Sequence, residues 1–385
     1  MSTRPTTTQT IRAALMTALV CMSLLSGSAS AQEPVTDRRA PAVQERTATL
    51  LFLSTRTRDA LPASEADLRT ACEASISTAI AAVGAPGVDA DNVRALQVLH
   101  RVRSSMVINR LFLEDLRAET GASRLLIVQM MFEKGRILAA GRLVDTETGL
   151  LLDAGTVDPV TWTDPDWVPA LELGITNLVA RLDDHGRSPS GRPFVILPVQ
   201  SRGLERSDVM TATHTLLETV LDDDSLVVTD PGILNHLLIE AGHDPRRVDV
   251  EGMKHMALVL GADSMLSAEL LTDETGRGSP GLMFDDPTTT TRSVLPAFTY
   301  FARLTDLRSG ILLGCAGLYH DNQPRIGWFG IVETRTSRQI LGEAAGQLWG
   351  DLGSHTEDFH GPATGTTRLL RDPVSSGGRD DRRSD

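Results

Sequence analysis

The distribution of apolar residues predicts alternating strands and helices, beginning near residue 47. Residues 47–53 form an almost unbroken apolar run, which is typical of a strand buried on both faces. Ser64 then has the character of a helix N-cap, and apolar residues recur at helical spacing until Gly84. A second helix is predicted over residues 111–119, and it ends at Gly121.

Strand-like runs separated by turn residues come next. Residues 124–131 and 136–144 are predicted to form a hairpin, with its turn at residues 134–135. The turn at 145–149 leads into a short apolar strand, and helical periodicity returns over 166–182.

The same order of elements recurs in the second half of the chain. It begins with a buried strand at 194–198 and a helix at 207–220. The remaining predicted elements are a short strand at 226–228, helices at 232–241 and 252–260, strands at 264–271, 299–305 and 311–313, and a closing helix at about 335–352.

Two short motifs can be laid on each other between the halves. Gly121 and Gly261 each stand before an alanine at the end of a predicted helix. The motif Arg-Leu-x-Asp-x-x-x-Gly occupies 142–149 in the first half and 303–310 in the second. We interpret this correspondence as a tandem duplication, with the extra residues of the second copy in a loop insertion at 273–293.

The predicted fold class is therefore α/β, with two tandem three-layer domains that are each a mixed β-sheet flanked by helices. Apolar residues are few at both ends and in the middle linker, where we expect no packed core. The predicted boundaries are a signal peptide at 1–31, a polar leader at 32–46, the first domain at 47–182, a linker at 183–192, the second domain at 193–353 and a disordered tail at 354–385.

The N-terminus has the three regions of a secretory signal peptide. A basic region without acidic residues extends through Arg12, and an apolar run follows at 13–25. Ala29 and Ala31 then fit a small-residue cleavage site before Gln32. An uncleaved signal anchor is the alternative. We expect export to the periplasm.

Composition narrows the expected partners. The formal net charge of −13 and the aromatic content of 4% argue against binding to nucleic acid. Cys21 lies in the apolar run without the preceding residues of a lipobox, so no lipid anchor is expected. Peripheral association with a membrane is left open. Cys72 and Cys315 are expected to be buried free thiols in different domains.

No residues in the sequence suggest catalysis, a cofactor or a metal. The Gly-x-Gly-x-x-Gly string at 276–281 is not followed by a clear helix start, which a dinucleotide site needs. The histidines lack metal-ligand spacing, and no nucleophile motif occurs. The arginine and aspartate of the repeated motif are interpreted as structural, because the aspartate can start a turn that the glycine completes.

Four aromatic residues near predicted loops are candidate contacts for a protein partner, although covering the domain core is their more frequent role. They are Trp162, Trp167, Trp328 and Phe329.

The repeated pattern resembles a group of bacterial envelope domains. It consists of a helix ending in Gly-Ala, a strand, and then Arg-Leu-x-Asp-x-x-Thr/Ser-Gly before another apolar strand, over about 47–352. It is similar to the CsgG family of curli secretion, to LpoB-type activators of penicillin-binding proteins and to the N-terminal domain of TolB. This resemblance implies a mixed sheet flanked by helices and a non-enzymatic role. The chain departs from these groups in lacking a lipobox, long alternating membrane hairpins and propeller repeats.

The function expected from the sequence is that of a non-catalytic cell-envelope protein, which acts as an adaptor or accessory factor by binding an envelope protein. One alternative is a secretion or outer-membrane assembly component of the curli-channel type. A less favoured alternative is an exported hydrolase.

Overall fold

A computed structural model describes most of the central part of the chain. The described residues are 45–55, 64–133, 135–161, 166–184, 191–272, 297–320, 336–356 and 365–369. The predicted signal peptide and the 273–293 insertion lie outside them.

The first half contains five strands and four helices among its described residues. In chain order they are β1 (Arg46–Thr55), α1 (Glu65–Ala82), α2 (Ala90–Leu99), α3 (Arg110–Thr120), β2 (Ala122–Glu133), β3 (Arg136–Asp145), β4 (Leu150–Thr156), β5 (Val160–Thr161) and α4 (Trp167–Asp184).

Local chemistry sets the helix ends. The Ser64 side chain accepts a hydrogen bond from the Asp67 amide, which confirms the predicted cap of α1. Asn109 caps α3 in the same way, and α3 ends at Gly121 with a φ of 69°. Helix α2 was not predicted. Its apolar residues do not mark a buried face, since Val93 is buried while Val98 and Leu99 are exposed.

The second half contains seven strands and four helices among its described residues. In chain order they are β6 (Arg192–Ile196), β7 (Gln200–Arg202), α5 (Arg206–Leu221), β8 (Leu226–Thr229), α6 (Pro231–Glu240), α7 (Val250–Leu260), β9 (Ser264–Thr272), β10 (Phe298–Asp306), β11 (Leu312–His320), α8 (Ser337–Thr356) and β12 (Gly365–Leu369).

All these strands belong to one mixed sheet, which confirms the predicted α/β class. The order along the sheet is β1-β2-β3-β4-β8-β6-β9-β10-β11-β12, with β5 beside β3 and β7 beside β9. In the first half β1 is parallel to β2, which is followed by the antiparallel pairs β2–β3 and β3–β4. In the second half β6 is parallel to β9, which is followed by β9–β10 and β10–β11 in the same way.

The two halves meet within the sheet. Strand β8 is parallel to β6 on one side and antiparallel to β4 on the other, so it joins the halves edge to edge. At the corresponding outer edge of β1, Thr47 forms a single parallel bridge with Gly87. The division into two domains therefore stays a prediction, because the described strands form a continuous sheet.

Apolar side chains fill both faces of the sheet. In the first half, α1 and α4 enclose one cluster with residues of β2 and β3, including Ile76, Val128 and Ile175. On the opposite face a larger cluster runs from α3 across the junction to α5 and α8, and it includes Phe112 and Leu216. A third cluster lies beneath α6 and α7 in the second half.

Two findings concern the ends of the described region. Helix α8 extends to Thr356, and residues 365–369 pair with β11 as a parallel strand within the segment that we expected to be disordered. The edge of β11 offers the backbone groups for this pairing. Across the described residues, no helix is both long enough and apolar enough to span a membrane.

Candidate functional site: an open sheet face

The repeated Arg-Leu-x-Asp motif forms the same turn in both halves. Asp145 Oδ1 accepts a hydrogen bond from the Thr148 amide at 2.7 Å, and Asp306 Oδ1 accepts one from the Ser309 amide at 2.6 Å. The bonds from Ser309 lower the pKa of Asp306. Gly149 and Gly310 have φ values of 73° and 70°. The turn-forming role predicted for the motif is thus confirmed.

The arginines of the motif have opposite environments. Arg142 is fully buried, and its Nε lies 2.8 Å from Oδ2 of Asp230, which is also fully buried. Its Nη2 donates a hydrogen bond to the carbonyl oxygen of Ser105 at 2.6 Å. Arg303 is exposed, and its guanidinium lies 4.9 Å from the ring centroid of Phe301.

The partner of Arg142 comes from the second half. Asp230 is the N-cap of α6, and its Oδ1 accepts a hydrogen bond from the Gly232 amide at 2.7 Å. Nearby, the Asn235 side chain donates to the carbonyl oxygen of Met106 at 2.9 Å. The Asp230 carboxylate therefore both starts a helix and neutralises a charge of the other half.

A neutral histidine completes this polar junction. His214 of α5 is buried, and its Nδ1 lies 2.9 Å from the carbonyl oxygen of Met210. Burial and the positive charge of Arg142 lower the pKa of His214 to about 3. The imidazole is therefore uncharged at neutral pH, next to a charged pair.

We define the Arg142 face as Ile127 and Gln129 of β2 with Ala140 and Arg142 of β3. Helix α5 packs against β3 and β4, and its Met210 belongs to a buried cluster with Ala140. The second half of the chain therefore covers this sheet face of the first half.

We define the Arg303 face as the matching set in the second half, namely Ser267 and Glu269 of β9 with Phe301 and Arg303 of β10. The strand register shows the match. In the first half Arg142 pairs with Ile127 and Ala140 with Gln129. In the second half Arg303 pairs with Ser267 and Phe301 with Glu269. Helix α8 lies on the opposite side of the sheet, with Tyr300 and Ala302.

The Arg303 face forms part of an open groove with a volume of about 270 Å³. Arg246 and Arg247, in the connection before α7, line the same groove and are exposed. Glu269 is half-buried and pairs with Arg202, with 3.3 Å between Oε1 and Nε. Apolar, aromatic and cationic groups are thus presented together on a surface whose counterpart in the first half is covered.

The edge beside this face is also apolar and exposed. Ile311 and Leu312 follow the second turn and have relative exposures of 63% and 37%. Their counterparts after the first turn are Leu150 and Leu151, which pair with β8, and Leu151 is only 4% exposed. Strand β12 pairs with Cys315–Tyr319 and not with Ile311 or Leu312.

The structure places one of the sequence-predicted contact residues. Trp167, at the start of α4, is half-buried and packs against the cluster beneath α1 and α4. Trp162, Trp328 and Phe329 lie outside the described residues, as do the predicted cleavage residues Ala29 and Ala31. A partner-binding role for these aromatic residues stays a prediction.

Both described cysteines are free, but the prediction that both are buried is wrong for Cys315. Cys72 is buried, and burial raises the pKa of its thiol to about 11. Cys315 is only partly buried, on the β11 strand next to Arg303. In the part of the chain that the structure describes, no three His, Cys, Asp or Glu residues are grouped closely enough to hold a metal ion.

Sequence reasoning missed the Arg303 face, although a signal was present. A position that is apolar and buried in the first half, Ile127, is polar and half-buried in the second, where it is Ser267. A strand whose outward positions turn polar has lost its cover on that face.

No protein-family model and no curated protein matches the chain. Among solved structures, similarity is found to the C-terminal domain of LpoB from Salmonella enterica, with 10% identity, 35% of this chain and 85% of that chain covered, and a TM-score of 0.24. Similarity is also found to a dodecamer of PelC from Paraburkholderia phytofirmans, with 13% identity, 42% of this chain and 96% of that chain covered, and a TM-score of 0.25. For lipoprotein GNA1162 from Neisseria meningitidis the identity is 13%, with 42% of this chain and 99% of that chain covered, and the TM-score is 0.25. Each of these matches covers less than half of this chain.

Proposed function

We propose that this chain is an exported, non-catalytic accessory protein of the bacterial cell envelope, which acts by binding a protein through the Arg303 face. The observation that carries the proposal is the contrast between the two matching sheet faces. On the Arg142 face Ile127, Ala140 and Arg142 are buried and helix α5 packs against β3, whereas Arg303 is exposed and Phe301 is half-buried. An apolar and cationic sheet face left open to solvent is typical of a surface that another protein covers.

The chemistry of the face suits a protein partner. Arginine and aromatic side chains contribute most to the stability of protein interfaces, and Arg303 and Phe301 lie together here. The groove is open to solvent, in contrast to the enclosed pockets that bury most of a small ligand. The overall charge of −13 opposes binding to nucleic acid, despite the local arginines.

The cellular part of the proposal rests on the sequence. The basic N-terminus, the apolar run at 13–25 and the Ala-Ser-Ala site support export. The pattern that resembles CsgG, LpoB and TolB N-terminal domains supports an envelope role without catalysis.

Photo-crosslinking at the proposed face tests the function directly. We would replace Phe301 with p-benzoylphenylalanine in the full chain, irradiate intact cells and identify the adducts by mass spectrometry. The matched control carries the same residue at Leu173, which is 63% exposed on α4. We expect protein adducts from position 301 well above those from position 173.

The products also separate the alternatives. Adducts with secretion or outer-membrane assembly subunits would favour the curli-channel type of role. If position 301 yields no protein adduct above the control, the proposal is wrong, and a screen for hydrolytic activity would come next.

A further inference from the structure

The junction between the two halves repeats itself at the ends of the chain. The strand pairing Leu151–Val228 and the ion pair Arg142–Asp230 each have a counterpart whose two members lie toward opposite ends of the sheet. Thr47 bridges Gly87 just as Phe194 pairs with Val228, so Gly87 corresponds to Val228. By the same offset, Asp89 corresponds to Asp230.

Asp89 is equivalent to Asp230 in its local structure as well. It is the N-cap of α2, and its Oδ1 accepts a hydrogen bond from the Asp91 amide at 3.1 Å. Asp230 caps α6 with Oδ1 and uses Oδ2 for Arg142. Asp89, however, is exposed to solvent.

The chain therefore carries a complementary pair that it does not join itself. Arg303 is exposed near one end of the sheet, and Asp89 is exposed near the other. Strands β1 and β11 are eight strand spacings apart, and each spacing is about 4.8 Å. Contact between Arg303 and Asp89 within one chain is excluded by this separation.

We propose that the Arg303 face binds the first half of a second copy of this chain, head to tail. In this arrangement Arg303 of one copy pairs with Asp89 of the next, as Arg142 pairs with Asp230 inside the chain. The segment around Gly87 adds to the edge of β11 at Leu312, as Val228 pairs with Leu151. The inference rests on the proposed function, since it names the protein that the face binds.

Charge favours this occupant. Arg246 and Arg247 line the groove, and Asp91 beside Asp89 is exposed on the α2 side. Helix α1 is the counterpart of α5, and Glu73 stands as far from the N-cap of α1 as His214 stands from the N-cap of α5, which places another carboxylate on the incoming side.

The contact joins unlike surfaces, so each added copy still presents one free surface of each kind. Such heterologous association continues as an open chain unless the geometry closes it into a ring. The apolar exposure of Ile311 and Leu312 would then be removed at every junction.

Disulfide crosslinking between two single variants tests this pairing. The background would be the chain from Gln32 with Cys315→Ala, which places at residue 315 the alanine of the matching position 154. Gly87→Cys adds a Cβ whose nearest neighbour is Ile80 at 4.0 Å, so it fits without strain. Residues directly opposite each other on antiparallel strands have Cα–Cα distances that a disulfide can span. We expect a crosslinked dimer when the Gly87→Cys and Leu312→Cys proteins are mixed, and none from either protein alone.

Two controls make the outcome decisive. The Leu151→Cys and Val228→Cys pair in one chain is expected to crosslink internally, which calibrates the geometry. Asp89→Asn keeps a good helix cap and removes the charge. This substitution, like Arg303→Glu, is expected to weaken self-association in sedimentation by at least about tenfold. Arg110→Glu, at an exposed site on α3, should leave self-association unchanged.

The failures are distinguishable. Dimers from Leu312→Cys alone would show a symmetric contact and overturn the head-to-tail arrangement. A lack of crosslinks together with an adduct from position 301 to a different protein would overturn self-association and leave the proposed function standing. A lack of any adduct at position 301 would remove both.

Discussion

Arg142 and Arg303 begin the same turn motif in the two halves of the molecule, but they meet different surroundings. Arg142 lies under α5 and α6 of the second half, with Asp230 at 2.8 Å. Arg303 meets solvent and the ring of Phe301. The motif therefore determines the turn, whereas the element that packs on the strand face determines what the arginine does.

The neighbouring positions have adapted to this difference. Under the second half, β2 and β3 carry Ile127 and Val144, which are buried. The position that matches Ile127 carries the half-buried Ser267, whereas Thr305, which matches Val144, is itself buried. The polar replacement at 267 reduces the cost of an uncovered sheet surface, while Phe301 and Ile311 retain apolar area for a contact.

The strongest test of the comparison is to remove each arginine in turn. Arg142→Met leaves the Asp230 carboxylate buried without its partner, so we expect a loss of about 3–5 kcal/mol in the free energy of unfolding. Arg303→Met, at the exposed position, is expected to change it by less than about 0.5 kcal/mol. Urea denaturation of both variants measures the difference. Equal losses would show that the two faces are not covered differently.

Acid sensitivity should arise from the covered face. The pKa of His214 is about 3 in the folded chain and about 6.5 when unfolded, so the unfolded state binds the proton more readily. The stabilisation is complete above pH 6.5 and is lost as the pH falls toward 3, by about 1.4 kcal/mol per pH unit. Between pH 7 and pH 5, we expect the free energy of unfolding to fall by about 2 kcal/mol less in His214→Gln than in the parent chain.

Denaturation at the two pH values, with His236→Gln as the control, measures this loss. His236 lies on α6 with a half-exposed side chain. If the His214 and His236 variants respond alike, the acid sensitivity does not come from the junction.

The smallest expected effect compares the ends of two matching helices. After α2, Arg101 has a φ of 54°, and at the corresponding place after α6 Gly242 has a φ of 84°. An added Cβ at Gly242 would meet nothing within 4 Å, so Gly242→Ala tests the backbone strain alone. We expect it to lower the free energy of unfolding by about 1 kcal/mol. Arg101→Gly should relieve a similar strain and gain up to about 1 kcal/mol. Thermal unfolding of both variants would show shifts of opposite sign, and shifts of the same sign would contradict this.

Much of the fold could be predicted because its signals are local. The strand over residues 47–53, the Ser64 cap and the Asp145 turn each depend on residues close together in the sequence. Helix α2 could not be found in this way. It buries only Val93 and leaves Val98 and Leu99 exposed, so its apolar positions do not identify a core-facing side.

The candidate site could not be predicted, because it depends on a non-local arrangement. The repeated motif made Arg142 and Arg303 look alike. Only the pairing of β4 with β8 brings Asp230 to one arginine and leaves the other exposed. The aromatic residues were chosen from the sequence because they stand near predicted loops, whereas Phe301 lies within strand β10.

The distance along the chain between Arg142 and Asp230 has a consequence for biosynthesis. Asp230 is the 88th residue after Arg142 and is therefore made later. At about 5–20 residues per second, the first hairpin exists for roughly 4–18 s before its partner is synthesised. During that interval a newly made chain displays an uncovered arginine amid apolar strands. That surface is open to any factor that binds unfolded segments of a nascent polypeptide, until α6 has been made and covers it.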